Sequence, residues 1–240
     1  MIDKKSLTQK QWNNYKSITS IISRKLTVTD LGTKAKYLRK KLTAASFLIH
    51  DLTTNKTLLK FAENTRREIA SLTKIATFYS AYHFLKKNNI NIETALFEIS
   101  AKASWMRGTS AKLVKGFYMT VKDLFYGLML PSGNDAAMCL AENIGRLIRL
   151  SHGSNLNPKI LNTKNCSKPD FYWFIDLMNN DRKELGMKNS FFMNPHGLNN
   201  PKNFSTCEDL MILCRKALQI EVFKEIIKCK EHKGLSLIHI

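Results

Sequence analysis

The spacing of apolar positions divides the chain into a short β section followed by a series of helices. From Ala44, AASFLIHD reads as an apolar strand, LTTNK as a turn and TLLKF as a second strand. These segments predict a hairpin in which Asn55 takes positive φ. The period then lengthens: Leu72, Ile75, Ala76, Tyr79 and His83 or Phe84 share one face, so a helix is expected from about Ser71. Thr120 and Asp123 form a capping-box start, followed by a core-facing stripe of Leu124, Phe125, Leu128 and Met129 that Pro131 ends. A helix from about Asp135 buries Ala137, Leu140, Ala141, Ile144 and Ile148. Residues 151–169, rich in Asn, Ser, Lys and Pro, read as a surface loop, and a helix from about Phe171 to Leu185 stops at Gly186. FFMNPHGL runs extended into a turn, and Ser205 with Glu208 caps a last helix at STCEDLMILCRKAL. Residues 1–42 are polar, lysine-rich and weakly periodic, a basic extension ahead of a folded domain at 43–240.

At 240 residues the chain is long enough for a good-sized core, and 44% hydrophobic with 10% aromatic residues marks it as globular. Lys and Arg outnumber Asp and Glu 38 to 19, which favours anionic partners. The charge is scattered, however, with no dense basic run interleaved with aromatics, which argues against a nucleic-acid surface. The cysteines number five, and none sits in a C-x-x-C pair or a cluster with histidines, so neither a zinc site nor a disulfide framework is expected. No apolar run is long enough to span a bilayer, and the first 40 residues carry no h-region of an export signal.

Candidate chemistry begins at Ser71-Leu72-Thr73-Lys74. A hydroxyl in the first turn of a helix lies among unpaired N–H groups at the positive end of the dipole, and Lys74 shares its face. The simple alternative is an N-capping serine beside a solvated lysine. Ser132-Gly133-Asn134 falls on a tight turn between two helices, and these residue types also build ordinary turns. His196, in NPHGL, invites a pairing with a serine that a lone histidine does not establish. Asp135 reads as a helix cap and Glu142 as a solvated residue.

In this order the motifs resemble those of the serine D-Ala-D-Ala carboxypeptidases, the low-molecular-mass penicillin-binding proteins. The likeness extends through AASFLIHD, ASLTKIAT, MTVKDLFYGLMLPSGNDAA, LMNNDRKELGMKNSFFMNPHGL and NFSTCEDL, from about residue 44 to residue 230. It implies an α/β (α+β) fold of the β-lactamase/transpeptidase-like type, an antiparallel sheet flanked by helices with an inserted helical subdomain. It also implies a serine-type hydrolase acting through an acyl-enzyme, with Ser71 as nucleophile, Lys74 as base, Ser132 as proton relay and Asn134 as substrate anchor. His196 and Gly197 would form a supporting turn. No metal or organic cofactor is implied. The partners would be a peptidoglycan stem peptide or a β-lactam, and the family is extracytoplasmic and often membrane-associated. Ser71 Oγ, Lys74 Nζ and Ser132 Oγ should converge.

The family's third element, Lys-Thr-Gly on a strand edging the site, is absent from the 240 residues; Lys233-Gly234 is only faintly similar. The resemblance places that strand beyond Ile240, so a C-terminally truncated copy is expected. With it would go a cation for the substrate carboxylate and one of two oxyanion-hole amides. The rival readings are a β-lactamase, against which residues 151–170 offer no added glutamate, and a non-catalytic descendant that binds cell-wall peptide.

Overall fold

Alternation over residues 47–61 folds as the hairpin it predicts. In the computed structural model, which describes residues 43–154 and 168–232, β1 (Phe47–Asp51) pairs antiparallel with β2 (Lys56–Phe61). Phe47 stands opposite Phe61 and Asp51 opposite Lys56, with a bulge between Ile49 and His50. Asn55 has φ 55°, as its place in the turn requires. Asp51 steadies the turn by accepting from Thr53 N at 2.9 Å and Thr54 Oγ1 at 2.5 Å, bonds that hold its carboxyl below the usual range. The hairpin belongs to a unit of its own, ending at Thr65.

The second unit, from Arg66, opens with β3 (Arg67–Glu68), which pairs with a late strand, β6 (Phe204–Ser205). A 3-10 turn at Ala70–Leu72 leads into α1 (Thr73–Lys87). Next, β4 (Leu96–Glu98) pairs with β5 (Tyr118–Thr120) across the short α2 (Ala101–Ser104). The remaining helices are α3 (Val121–Met129), α4 (Asn134–Ser154), α5 (Asp170–Glu184), α6 (Cys207–Ala217) and α7 (Glu221–Lys228). Among the described residues the strands form three separate two-stranded antiparallel pairs.

The apolar stripes explain the packing. Ala137, Leu140, Ala141 and Ile144 of α4 are fully buried, and α4 lies against α5, α3, α2 and α1. Thr120 caps α3 as expected, accepting from Asp123 N at 3.1 Å, and the stripe Leu124, Phe125 and Leu128 is buried while Met129 is half-buried.

Three expectations are corrected. The buried side of α1 is Thr73, Ala76, Thr77, Phe78, Ser80, Ala81 and Leu85, while Leu72 and His83 are exposed. An apolar-only pattern missed that face because three of its members are hydroxylic. At α6 the cap is Thr206, which accepts from Asp209 N at 3.2 Å, one residue beyond the expected Ser205 and Glu208. Ser205 is buried instead, its hydroxyl 2.7 Å from Ser190 Oγ. Nor is α6 the last helix: Phe223 and Ile226 of α7 are buried, and the Phe78 ring lies 4.9 Å from Phe223 and 4.6 Å from Phe125.

The expected extension at 1–42, most of the Asn-rich loop and Lys233-Gly234 lie outside the described residues. Among the described residues no helix is long and apolar enough to cross a membrane.

Candidate active site

Ser71 sits in the 3-10 turn one residue before the cap of α1, and its side chain caps nothing. The N-cap reading therefore fails, and the exposed hydroxyl meets Lys74 Nζ at 3.1 Å. Ahead of it, Ala70 has φ 45°, a left-handed conformation that costs an alanine about 1–2 kcal/mol. The turn from NPHGL braces this strained peptide. A Cβ on Gly197 would lie 1.8 Å from Ala70 O, and Gly197 itself has φ 82°, so only glycine fits. Asn194 Oδ1 holds that turn by accepting from Gly197 N at 2.6 Å and His196 N at 3.3 Å.

Lys74 is 1% exposed. Its ammonium has three acceptors: Ser71 Oγ, Asn134 Oδ1 at 2.7 Å and the His196 carbonyl at 2.7 Å. All are neutral. Burial therefore dominates and lowers its pKa to about 8, against a smaller upward pull from the Asp135 carboxylate. A lysine so tuned can take a proton from a neighbouring hydroxyl near neutral pH, and its three acceptors receive the ammonium that forms.

Asn134 begins α4. Its amide is 3% exposed and bridges Lys74 to the Arg107 carbonyl, to which Nδ2 donates at 2.7 Å. Each end of the amide keeps capacity for one further bond. Ser132 shares the turn with φ 58°, and its carbonyl accepts from Thr109 Oγ1 at 2.6 Å. Among the described residues no hydrogen bond joins Ser132 Oγ to Ser71 or Lys74, and the Lys74 ammonium bonds Asn134 Oδ1 from the same turn. Gly133 is confined as Gly197 is, since a Cβ there would stand 2.6 Å from Gly127 O.

Beneath this turn lies Asp135, 0% exposed. It accepts from Ser110 Oγ at 2.7 Å, Ala111 N at 2.9 Å, Leu113 N at 3.1 Å and its own helix at Ala136 N, 2.9 Å. Asp135, expected as a helix cap, is instead the second residue of α4, and its carboxylate is the post to which residues 110–113 are tied. Glu142 is likewise not a freely solvated residue: it is half-buried, accepts from Ser100 Oγ at 2.5 Å, and burial raises its carboxyl.

His196 contributes its backbone rather than its ring. Burial, then the charges of Lys74 and Lys102, lower its pKa to about 4, and Nδ1 accepts from Leu198 N at 3.1 Å. The imidazole is neutral at pH 7 and makes no bond to Ser71. A cavity of about 1080 Å³, lined by Tyr79, His83, Asp181 and Glu184 among others, contains none of these residues.

Sequence reasoning missed several supports. Thr77 Oγ1 donates to the Pro195 carbonyl at 2.6 Å, and Asn203 Nδ2 to Thr73 Oγ1 at 2.9 Å, so α1 grips the NPHGL turn through its own buried face. The readable signal was Thr73, Thr77 and Ser80, polar residues at helical spacing where a core face should be apolar.

Residues 32–146 and 170–236 match the family model described as D-alanyl-D-alanine carboxypeptidase. The chain belongs to that family. It is 31% identical over 182 residues to the D-alanyl-D-alanine carboxypeptidase of Streptomyces sp. (strain K15), covering 75% of this chain and 56% of that protein. With D-alanyl-D-alanine carboxypeptidase DacF of Bacillus subtilis (strain 168) it shares 32% identity over 178 residues, 74% of this chain and 40% of the relative. The crystal structure of the Streptomyces K15 DD-transpeptidase superposes with a TM-score of 0.61 at 31% identity, over 77% of this chain and 64% of that one. The chain spans about half the length of the curated relatives it matches. The motif resemblance and the mixed α/β fold it implied are borne out by these matches.

Proposed function

We propose that this D-alanyl-D-alanine carboxypeptidase family chain is a serine-type hydrolase that removes the terminal D-alanine from peptidoglycan stem peptides, and that β-lactams acylate the same serine. The observation that carries this reading is the buried Lys74, bonded to Ser71 and tuned to about 8 by burial. At pH 7 about one Lys74 in ten is then uncharged. That free amine takes the Ser71 proton as Oγ attacks the scissile carbonyl carbon, giving a tetrahedral oxyanion. Collapse breaks the C–N bond, and the proton passes from Lys74 through Ser132 to the departing D-alanine nitrogen, leaving an ester on Ser71. Water then hydrolyses the ester. Asn134, already bonded to Lys74, has capacity left for the substrate amide. His196 and Gly197 hold the turn against Ala70 and supply the carbonyl that positions Lys74.

The rival reading is a chain that binds cell-wall peptide with little turnover. Fluorescent penicillin separates the two. A version extended through a family-like Lys-Thr-Gly strand should label on Ser71 about a hundred- to a thousandfold faster than residues 1–240 alone, because that strand would add an oxyanion donor. Labelling of the extended version should vanish in Ser71→Ala and fall sharply in Lys74→Ala. An extended chain without an acyl group on Ser71 by mass spectrometry would overturn the hydrolase reading.

A further inference from the structure

Two successive peptide planes of the NPHGL turn are gripped in the same way. The 195–196 plane accepts at its carbonyl from Thr77 Oγ1 at 2.6 Å and donates its N–H to Asn194 Oδ1 at 3.3 Å. The 196–197 plane accepts at its carbonyl from Lys74 Nζ at 2.7 Å and donates its N–H to the same Asn194 Oδ1 at 2.6 Å. Asn194 therefore holds both planes on one side, and α1 holds both on the other. Lys74 and Thr77, three residues apart, share the helix face that does so. The two planes hinge on one atom, His196 Cα, so a tilt of the first moves the carbonyl that the second presents to Lys74.

Thr77 is fully buried, and a buried hydroxyl costs free energy unless it is bonded. Its one proton has three acceptors within reach: Pro195 O at 2.6 Å, Thr73 O at 3.5 Å and Met178 Sδ at 3.8 Å. The first is much the shortest. The Pro195 ring locks its own φ, which leaves ψ as the soft torsion that turns the 195–196 plane. Thr77 restrains that torsion from inside the core. The N–H bond on the far side of the plane, at 3.3 Å, is longer than the usual range and holds it only weakly.

We propose that Thr77 is a positioning residue for the proton transfer at Ser71: through the Pro195 carbonyl it sets the His196 carbonyl against the Lys74 ammonium, and so fixes where the base sits and how strongly its charged form is held. The inference rests on the hydrolase reading for the role of Lys74. Loosening the His196 carbonyl destabilises the ammonium, which it bonds, more than the free amine, so the pH at which Lys74 loses its proton should fall. The titratable and charged groups that reach Lys74 are Asp135 of α4 and the His196 ring, with Lys102 of α2 beyond that ring. Removing the Thr77 hydroxyl alters none of these charges, and Thr77 meets α5 through the uncharged Met178.

The test titrates Lys74 directly in the 240-residue chain, by NMR of its ε-methylene, whose signal is assigned by its absence in Lys74→Met. In Thr77→Val the midpoint should fall by about one unit, which is what one hydrogen bond to a charged group is worth as a pKa change. In Thr77→Ser, which keeps the donor, it should return to the wild-type value. Should Thr77→Val fail to fold, Thr77→Cys fills the same space with a thiol that donates only weakly, and its midpoint should fall in the same direction by less. On an extended chain that penicillin acylates, the pH at which the rate levels off should move with the midpoint. An unmoved midpoint in the folded Val or Cys variant, or an equal fall in Thr77→Ser, would overturn the proposal and leave Thr77 as packing. Failure of the hydrolase reading shows separately, as an extended chain that penicillin leaves unmodified.

Discussion

Two turns meet at Lys74, and they are built in opposite ways. The Ser71 turn carries its chemistry in side chains three residues apart on one helix start, so the hydroxyl and amine meet at 3.1 Å by their spacing, with the NPHGL turn bracing Ala70 and the His196 carbonyl holding the amine. The Ser132 turn is placed from outside, by Thr109 on its carbonyl, by the Thr109 carbonyl on Asn134 N at 2.8 Å, and by Asp135 gathering residues 110–113. The first turn is therefore a motif and the second a docking site for a loop. Damage to the loop should be felt as stability, and damage to the motif as chemistry.

The largest effect expected from this contrast is at Asp135. Truncation in Asp135→Ala leaves the buried Leu113 N–H and the half-buried Ala111 N–H without their acceptor, each costing about 1–3 kcal/mol, while water can serve the exposed Ser110 hydroxyl. A loss of roughly 4 kcal/mol in urea unfolding is expected, with residues 107–113 becoming susceptible to protease. A loss below 1 kcal/mol would mean that the loop docks by other contacts and that the second turn is as self-contained as the first.

Next in size is the cost of burying Lys74. Its pKa is lowered from 10.5 in the unfolded chain to about 8 in the folded one. Below about 8 both states hold the proton and the penalty is complete; between about 8 and 10.5 only the unfolded state holds it, so stability rises with pH; above 10.5 the penalty is gone. A shift of that size corresponds to about 3 kcal/mol. Lys74→Met removes the titration while leaving Asn134 Oδ1 and the His196 carbonyl short of a donor, a deficit that does not vary with pH. The stability of wild type relative to Lys74→Met should therefore improve by about 3 kcal/mol from pH 7.5 to pH 10.5. A flat difference would show that Lys74 keeps an ordinary pKa, and the proposed base would have no free amine to offer at neutral pH.

The same contrast explains what was legible in the sequence. Ser71 and Lys74 are local, so their spacing announced them; the hairpin at 47–61 and the cap at Thr120 are local too, and both formed as read. Residues 107–113 carry no pattern of their own, because their hydrogen bonds run to Ser132, Asn134 and Asp135 more than twenty residues away. Asp135 looked like a cap because it stands in the first turn of α4, where one of its four bonds is to Ala136 N. The buried face of α1 was misread for a related reason: Thr73 and Thr77 are polar in the sequence, and become core only once Asn203 and Pro195 arrive to bond them. Missing α7 was a local error by contrast, since Val222, Phe223, Ile226 and Ile227 keep helical spacing and could have been read.

The smallest effect is the sharpest test of whether the second turn matters to chemistry at all. Thr109 is exposed, and its hydroxyl reaches the Ser132 carbonyl at 2.6 Å. Thr109→Val keeps the shape and removes that one bond, so water can serve the carbonyl in its place and stability should fall by less than about 1 kcal/mol. The bond nevertheless restrains a serine held at φ 58°. If Ser132 passes the proton to the leaving group, its freedom should slow acylation of a Lys-Thr-Gly-extended chain by penicillin severalfold while the pH at which the rate levels off, set by Lys74, stays near 8. A rate unchanged by Thr109→Val would leave Ser132 as a structural residue of its turn. A levelling pH that moved with the mutation would mean that the two turns are one electrostatic unit, and the division drawn between them would fall.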